Sequence, residues 1–156
     1  VSVYVPAWPV LEAAQLTDLE DVDQVKGVKN PHVWGTDLLI DALAESDLSG
    51  SWLVGGDFNS CETLSSAGRE FLDRMNGLGF TDVLRASTGR LTPTFRHPRT
   101  KKVRNQIDHL FVTPALLGRV VKCEVGDADR VFGSRLSDHL PIIADFADEI
   151  QNPDPE

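Results

Sequence analysis

The chain has 156 residues, of which 41% are hydrophobic, so it is long enough to form one domain with its own apolar core. Its formal net charge of −9 excludes a protein that binds DNA or membranes through overall positive charge. No apolar stretch is long enough to cross a membrane, and Cys61 and Cys123 have the spacing of neither a disulfide framework nor a metal site, which predicts reduced thiols in a cytoplasmic protein.

The first part of the chain predicts a strand, a helix and a second strand. Residues 1–5 alternate β-branched and other side chains and end at Pro6, which is typical of a strand. A short helix near residues 11–19 and a loop follow. A proline at a helix start and apolar residues three or four apart predict an amphipathic helix over residues 31–47, and residues 52–56 predict the next strand. This order favours parallel strand pairing and an α/β fold class.

The second part predicts one helix and several strands. Ser66 is the predicted cap of the helix, which Gly77 or Gly79 ends, and residues 80–84 predict an extended or turn-like link. A polar, hairpin-like loop covers residues 96–104. Strands are predicted over residues 92–95, 105–112, 120–125 and 141–146.

Three clusters of polar side chains interrupt the predicted strands: Asp57 with Asn59, Asp108 with His109, and Ser137-Asp138-His139. Carboxylates bind a hard cation such as Mg²⁺ through oxygen, a carboxylate or amide positions water, and histidine exchanges a proton with a phosphate oxygen. The set therefore has the groups of a metal-dependent hydrolytic site. Taken singly, the first and third clusters also fit polar turns at strand ends, and His109 fits a core histidine because it points away from the face of Asp108.

The three clusters resemble signatures of the endonuclease/exonuclease/phosphatase superfamily, in that family's order. The signatures are Gly56-Asp57-Phe58-Asn59, Gln106-Ile107-Asp108-His109-Leu110-Phe111-Val112 and Ser137-Asp138-His139-Leu140-Pro141-Ile142. Tyr4-Val5-Pro6 is similar to a further element of exonuclease III and AP-endonuclease-like members, and Leu91-Thr92-Pro93-Thr94-Phe95 fits the strand before the second signature. Residues 1–146 are therefore interpreted as the domain, and the acidic residues 147–156 as a disordered tail.

The resemblance implies an α/β (α+β) fold, in which a mixed sheet and flanking helices form the C-terminal half of a four-layer α/β/β/α sandwich. The family's N-terminal half carries an Asn and a metal-binding Glu, and no stretch precedes Val1 to supply them. We therefore expect an incomplete metal site in this chain. We also expect association through the sheet face that the missing half would cover.

The resemblance also implies a role for each matching side chain. Asp57 would orient or deprotonate the attacking water, and Asn59 would hold water, a phosphate oxygen or the metal. His139 would bind or protonate the scissile phosphate, while Asp108 would accept a hydrogen bond from the other His139 nitrogen. Asp138 and Asp57 would be ligands of Mg²⁺ or Mn²⁺.

The implied substrate is a phosphate ester, with nucleic acid as one class. Tyr4 would contact its phosphate, and so would the basic loop through Arg96, Arg99 and Arg104, although a solvated hairpin tip explains that loop equally well. The predicted function is a nuclease-like phosphodiesterase that uses a metal-activated water, as in DNA repair. The alternatives are a phosphatase for lipid or inositol phosphates and a non-catalytic half-domain.

Overall fold

A computed structural model describes the backbone of residues 1–4 and 31–148 and the side chains of residues 1–2 and 33–148. Its strands are β1 Ser2–Tyr4, β2 Leu53–Asp57, β3 Thr81–Asp82, β4 Phe95–Arg96, β5 Val103–Asn105, β6 Asp108–Val112, β7 Val120–Val125 and β8 Ile142–Phe146. Its helices are α1 Pro31–Ala44, α2 Ser66–Gly77, α3 Val83–Thr88 and α4 Pro114–Leu117, with a π-helical turn at Asp129–Gly133. Within these ranges no helix has the length and apolar character to cross a membrane.

The main sheet is mixed, as expected for the fold class. Its strand order is β1-β2-β6-β3, with β1 parallel to β2 and the other pairs antiparallel. The parallel pairing predicted from the strand–helix–strand order is therefore confirmed. Strands β4 and β5 form a separate antiparallel hairpin, and β7 and β8 form another antiparallel pair.

Two apolar clusters hold these elements together. The larger one packs α1 and α2 on one face of β2 and β6, and its buried members are Ile40, Leu43, Val54, Phe58, Phe71, Met75, Phe80 and Phe111. The smaller one joins α3 and β7 to the end of β6 through Val83, Leu84, Val112 and Cys123. Both faces of β6 are thereby covered along part of its length, which gives the strand a rigid position in the fold.

The predicted cap of α2 is wrong by one residue. The Ser65 hydroxyl accepts a hydrogen bond from the Gly68 backbone N–H at 3.0 Å, and Ser65 has the extended backbone of an N-cap. Ser66 is the first helical residue instead. Of the two predicted ends, Gly77 and Gly79, the helix ends at Gly77.

Several segments differ from the predicted elements, among them the strand predicted over residues 92–95, of which only Phe95 lies in a strand, β4. The link predicted over residues 80–84 holds β3 and the start of α3, a helix that Asp82 caps by accepting from the Arg85 N–H at 3.3 Å. The strand predicted over residues 105–112 is broken between β5 and β6. The break lies at Gln106 and Ile107, which are both buried, because the Gln106 side chain turns inward to hydrogen-bond partners there.

Some predictions lie outside the described residues and stay predictions. They concern the helix near residues 11–19 and, beyond residue 148, the disordered tail.

Cys61 and Cys123 are free and buried. Burial raises the pKa of the Cys123 thiol to about 11, so this thiol is not a reactive nucleophile.

Candidate active site

The register of β2 and β6 brings the first two acidic side chains together. Asp57 is directly paired with Asp108 across the two antiparallel strands. Because side chains alternate along a strand, both carboxylates project from the same face of the sheet, and the neighbouring His109 projects from the other. The sheet register, rather than either segment alone, therefore creates this acidic pair.

Strand β4 holds the third segment against this pair. Phe95 forms an isolated bridge with His139, the Arg96 N–H donates to the Asp138 carbonyl at 2.8 Å, and the Leu140 N–H donates to the Thr94 carbonyl at 2.7 Å. The rings of Phe95 and His139 lie 4.9 Å apart. Sequence reasoning missed this contact, for which the only available signal was the position of Phe95 in the strand before the second signature.

Asp57, Asp108 and His139 converge into one cluster. Each offers a potential metal ligand atom within 4.8 Å of the others, and all three are half-buried. His139 Nδ1 lies 3.1 Å from Asp108 Oδ1 and 3.0 Å from Oδ2. Since a carboxylate accepts, Nδ1 carries the hydrogen, in agreement with the arrangement that the resemblance implies.

Asn59 is bound directly to the Asp57 carboxylate. Its backbone N–H donates to Oδ1 at 2.9 Å, and its side-chain amide donates to Oδ2 at 3.1 Å. Asn59 has a φ of 48°, in the left-handed region that asparagine tolerates better than most residues. The segment is therefore both the Asx turn that its sequence suggests and part of the convergent cluster.

The Asp57 carboxyl has a pKa above its usual range. Burial is the main cause, and the negative charge of Asp108 acts in the same direction. Hydrogen bonds from Asn59 and the nearby His139 oppose the increase without cancelling it. Asp57 is consequently a stronger base than an exposed carboxylate.

Asp138 and Tyr4 lie beside the cluster. The Asp138 side chain is exposed and is not one of the three that lie within 4.8 Å, so its role as a metal ligand stays a prediction. Tyr4 pairs with Asp57 in the parallel ladder of β1 and β2, which brings its backbone next to the cluster. Its side chain is outside the described ones, and its phosphate contact stays a prediction.

The three arginines of the basic loop have different surroundings. Arg99 lies in the connection between β4 and β5, Arg104 lies in β5, and both are exposed. Arg96 is half-buried, with its guanidinium 4.3 Å from the centroid of the Phe132 ring and its Nη2 donating to the Phe132 carbonyl at 3.3 Å. Arg96 therefore packs against the protein, while the other two face solvent.

A cavity of about 620 Å³ adjoins the cluster. Asp57, Asp108 and His139 line it, and much of the remaining wall is apolar, formed by Leu110, Val131, Leu136, Leu140, Pro141 and Ile142. The chemistry of the three polar groups suits a divalent cation, because Mg²⁺ takes carboxylate oxygens together with water, and Mn²⁺ also accepts imidazole nitrogen. The arrangement thus places a potential cation site in a cleft large enough for part of a substrate.

The sequence matches the profile of the Endonuclease/Exonuclease/phosphatase family over residues 7–139. No curated protein sequence matches it significantly.

Solved structures show the same fold. An AP endonuclease from Archaeoglobus fulgidus superimposes with a TM-score of 0.67 at 23% identity, over 93% of this chain and 60% of that one. The 3′ phosphatase NExo from Neisseria, bound to a product DNA hairpin, gives 0.63 at 22% identity, over 93% and 59%. The catalytic domain of Xenopus laevis APE2 gives 0.58 at 18% identity, over 94% and 50%. The chain thus spans at most about three fifths of the length of these three structures.

Proposed function

The chain belongs to the endonuclease/exonuclease/phosphatase family, and on that premise we propose that it contributes the catalytic centre of a metal-dependent phosphodiesterase acting on nucleic acid. One observation carries the proposal. Asp57, Asp108 and His139 come from three segments far apart in sequence, yet their potential ligand atoms lie within 4.8 Å of one another. Structures of the same fold include an AP endonuclease and a 3′ phosphatase bound to a DNA product, which supports nucleic acid as the substrate class.

Asp57 and Asp108 are the residues that would hold the cation, with Asp138 at the edge of the cluster as a further ligand. Their oxygen atoms favour Mg²⁺, and Mn²⁺ would also bind. Such a cation would stabilise the negative charge that increases on the phosphate oxygens in the transition state.

The side chains themselves would accept the proton of the attacking water and bind the phosphate. Asp57 would take a proton from the attacking water. Asn59 keeps that carboxylate in one orientation through its two hydrogen bonds. Because Asp108 occupies Nδ1 of His139, the other ring nitrogen, Nε2, is the one that would contact a phosphate oxygen.

The exposed arginines favour a polymeric phosphodiester over a small phosphate ester. Arg99 and Arg104 belong to the hairpin whose first strand is bridged to His139, so they lie on the element next to the cluster. The protein carries a net charge of −9, and a local group of cations is needed to bring a polyanion to it.

The proposal is tested with the protein at its full natural length. Candidate substrates are duplex DNA with an abasic site, DNA ending in a 3′-phosphate, bis-p-nitrophenyl phosphate and an inositol phosphate, each with Mg²⁺ and with EDTA. We expect Mg²⁺-dependent cleavage of a DNA substrate that Asp57→Asn and His139→Ala abolish. Asp145→Asn, which changes an exposed carboxylate on β8, should leave the cleavage unchanged.

Two other results would contradict the proposal. Hydrolysis of the inositol phosphate without cleavage of DNA would identify a phosphatase instead. No hydrolysis of any substrate would leave only a non-catalytic domain.

A further inference from the structure

A buried polar network lies behind the candidate active site, on the opposite face of β6. His109 is 1% exposed, and both of its ring nitrogens have polar partners. Nε2 lies 2.9 Å from the carbonyl oxygen of Ser60, and Nδ1 lies 2.8 Å from Oδ2 of Asp82. Because a carbonyl oxygen only accepts, Nε2 donates the hydrogen bond to Ser60.

The network is anchored on the side away from the site. Gln106 donates from Nε2 to Asp82 Oδ2 at 2.7 Å, and its Oε1 accepts from the Thr92 N–H at 3.0 Å. The other Asp82 oxygen caps α3. Polar groups of Ser60, Asp82 and Gln106 therefore meet at His109 and fix the ring in position.

His109 is connected to the site at two places. It follows Asp108 in β6, and it binds the carbonyl of Ser60, which follows Asn59. Asn59 has its φ at 48°, a left-handed conformation that asparagine adopts more readily than most residues and that surrounding contacts help to stabilise. The hydrogen bond from His109 to Ser60 is a contact of that kind, one residue beyond the turn that orients Asp57.

Packing alone does not explain a histidine at this position. The ring stacks on Phe111 at 5.4 Å and meets the edge of Phe58 at 5.9 Å, so an apolar aromatic ring would suit these neighbours. A polar side chain buried here costs free energy unless its hydrogen bonds are made. The stabilising contribution of histidine at this position must therefore come from the hydrogen bonds by which it connects Ser60 and Asp82.

We propose that His109 is a positioning residue, which holds the turn carrying Asn59 in register with Asp108 through its hydrogen bond to Ser60. This inference rests on the proposed function. It assigns to His109 no contact with substrate or cation. Its effect on hydrolysis is transmitted by Asn59, which orients the Asp57 carboxylate.

Two conservative substitutions separate the two hydrogen bonds of the ring. The amide nitrogen of glutamine is as many bonds from Cβ as Nε2 of histidine, and that of asparagine is as many as Nδ1. His109→Gln can therefore still donate to Ser60, while His109→Asn can reach only the groups beside Nδ1, Asp82 and Gln106. Phe111→Leu is the matched control, since it disturbs the same aromatic cluster without touching the network.

We expect His109→Asn to lower kcat on the cleaved DNA by about tenfold or more, with KM within about twofold of the unmodified protein. His109→Gln and Phe111→Leu should keep kcat within about threefold. Equal losses in the two His109 variants, or a loss in Phe111→Leu as large as in His109→Asn, would overturn the proposal.

A second measurement does not depend on activity. In ¹H–¹⁵N NMR spectra, the backbone and side-chain amide signals of Asn59 should shift in His109→Asn and stay near their original positions in His109→Gln. Unchanged Asn59 signals in both variants would overturn the positioning role. If the unmodified protein hydrolyses nothing while the Asn59 signals follow this pattern, the proposed function fails and the link from His109 to the turn stands.

Discussion

His139 Nδ1 lies 3.0 and 3.1 Å from the two carboxylate oxygens of Asp108, although the residues are 31 positions apart. The pair exists because β6 carries Asp108 to the end of the main sheet, while β4 binds the turn that carries His139. A carboxylate in this position fixes the hydrogen on Nδ1 and the orientation of the ring. The relationship makes Asp108 the first target for substitution.

Asp108→Asn should lower kcat by about ten- to a hundredfold, with KM changed much less. The amide keeps the size of the side chain but removes the charge that holds the hydrogen on Nδ1. Steady-state kinetics on the cleaved DNA substrate measure this effect, with Asp145→Asn as the control. An unchanged kcat would show that the pair has no part in the reaction.

The raised pKa of Asp57 predicts a pH-dependent cost in stability. The folded protein holds the proton of this carboxyl more tightly than the unfolded chain does. The free energy of unfolding therefore decreases as the pH rises from the pKa of Asp57 in the unfolded chain through its higher pKa in the folded protein. Asp57→Asn removes this decrease. In urea titrations with EDTA between about pH 3 and pH 7, the variant should gain stability relative to the unmodified protein as pH rises.

The reverse trend, in which the variant loses relative stability with rising pH, would contradict the raised pKa. Added Mg²⁺ should reduce the difference between the two proteins, because a cation favours the ionised carboxylate.

Arg96→Met should lower the free energy of unfolding by about 1 kcal/mol, because it removes the guanidinium from the Phe132 ring and the hydrogen bond to the Phe132 carbonyl. Arg99→Met, at an exposed position, should change it by less than about 0.5 kcal/mol. Urea denaturation compares the two variants. Equal effects would mean that the packing of Arg96 adds nothing to stability.

Arg99→Ala and Arg104→Ala should each weaken the binding of duplex DNA and reduce the slope of log K against log salt concentration by about 1, the value for one lost phosphate contact. Titrations of metal-free protein at several salt concentrations measure the slope. Arg69→Ala, at an exposed position on α2, is the matched control. If Arg99→Ala and Arg104→Ala have the same salt slope as Arg69→Ala, the hairpin does not contact the DNA phosphates.

Ser65→Ala should destabilise the protein by about 1 kcal/mol, since it removes the oxygen that accepts from the Gly68 N–H at the start of α2. Ser66→Ala, one residue later and inside the helix, should be neutral or slightly stabilising because alanine is the better helix former. Thermal unfolding distinguishes the two variants. A larger loss of stability in Ser66→Ala would show that Ser66 is the cap, as the sequence predicted.

The sequence by itself determined the features that depend on neighbouring residues. A short apolar run that ends in two glycines predicted β2, and the strand–helix–strand order predicted its parallel pairing with β1. The three polar clusters were visible for the same reason, as short groups at strand ends, and they included Asp57, Asp108 and His139. Such patterns extend over a few positions, and backbone geometry converts them directly into local structure.

Only the tertiary structure decided which distant groups the polar side chains contact. Arg96, Arg99 and Arg104 are equivalent in the sequence, but Arg96 packs on Phe132, 36 positions away. His109 gains its connection to the active-site turn from Ser60, 49 positions away. Burial and hydrogen bonding of this kind depend on contacts between distant segments, and no local pattern of residues encodes them.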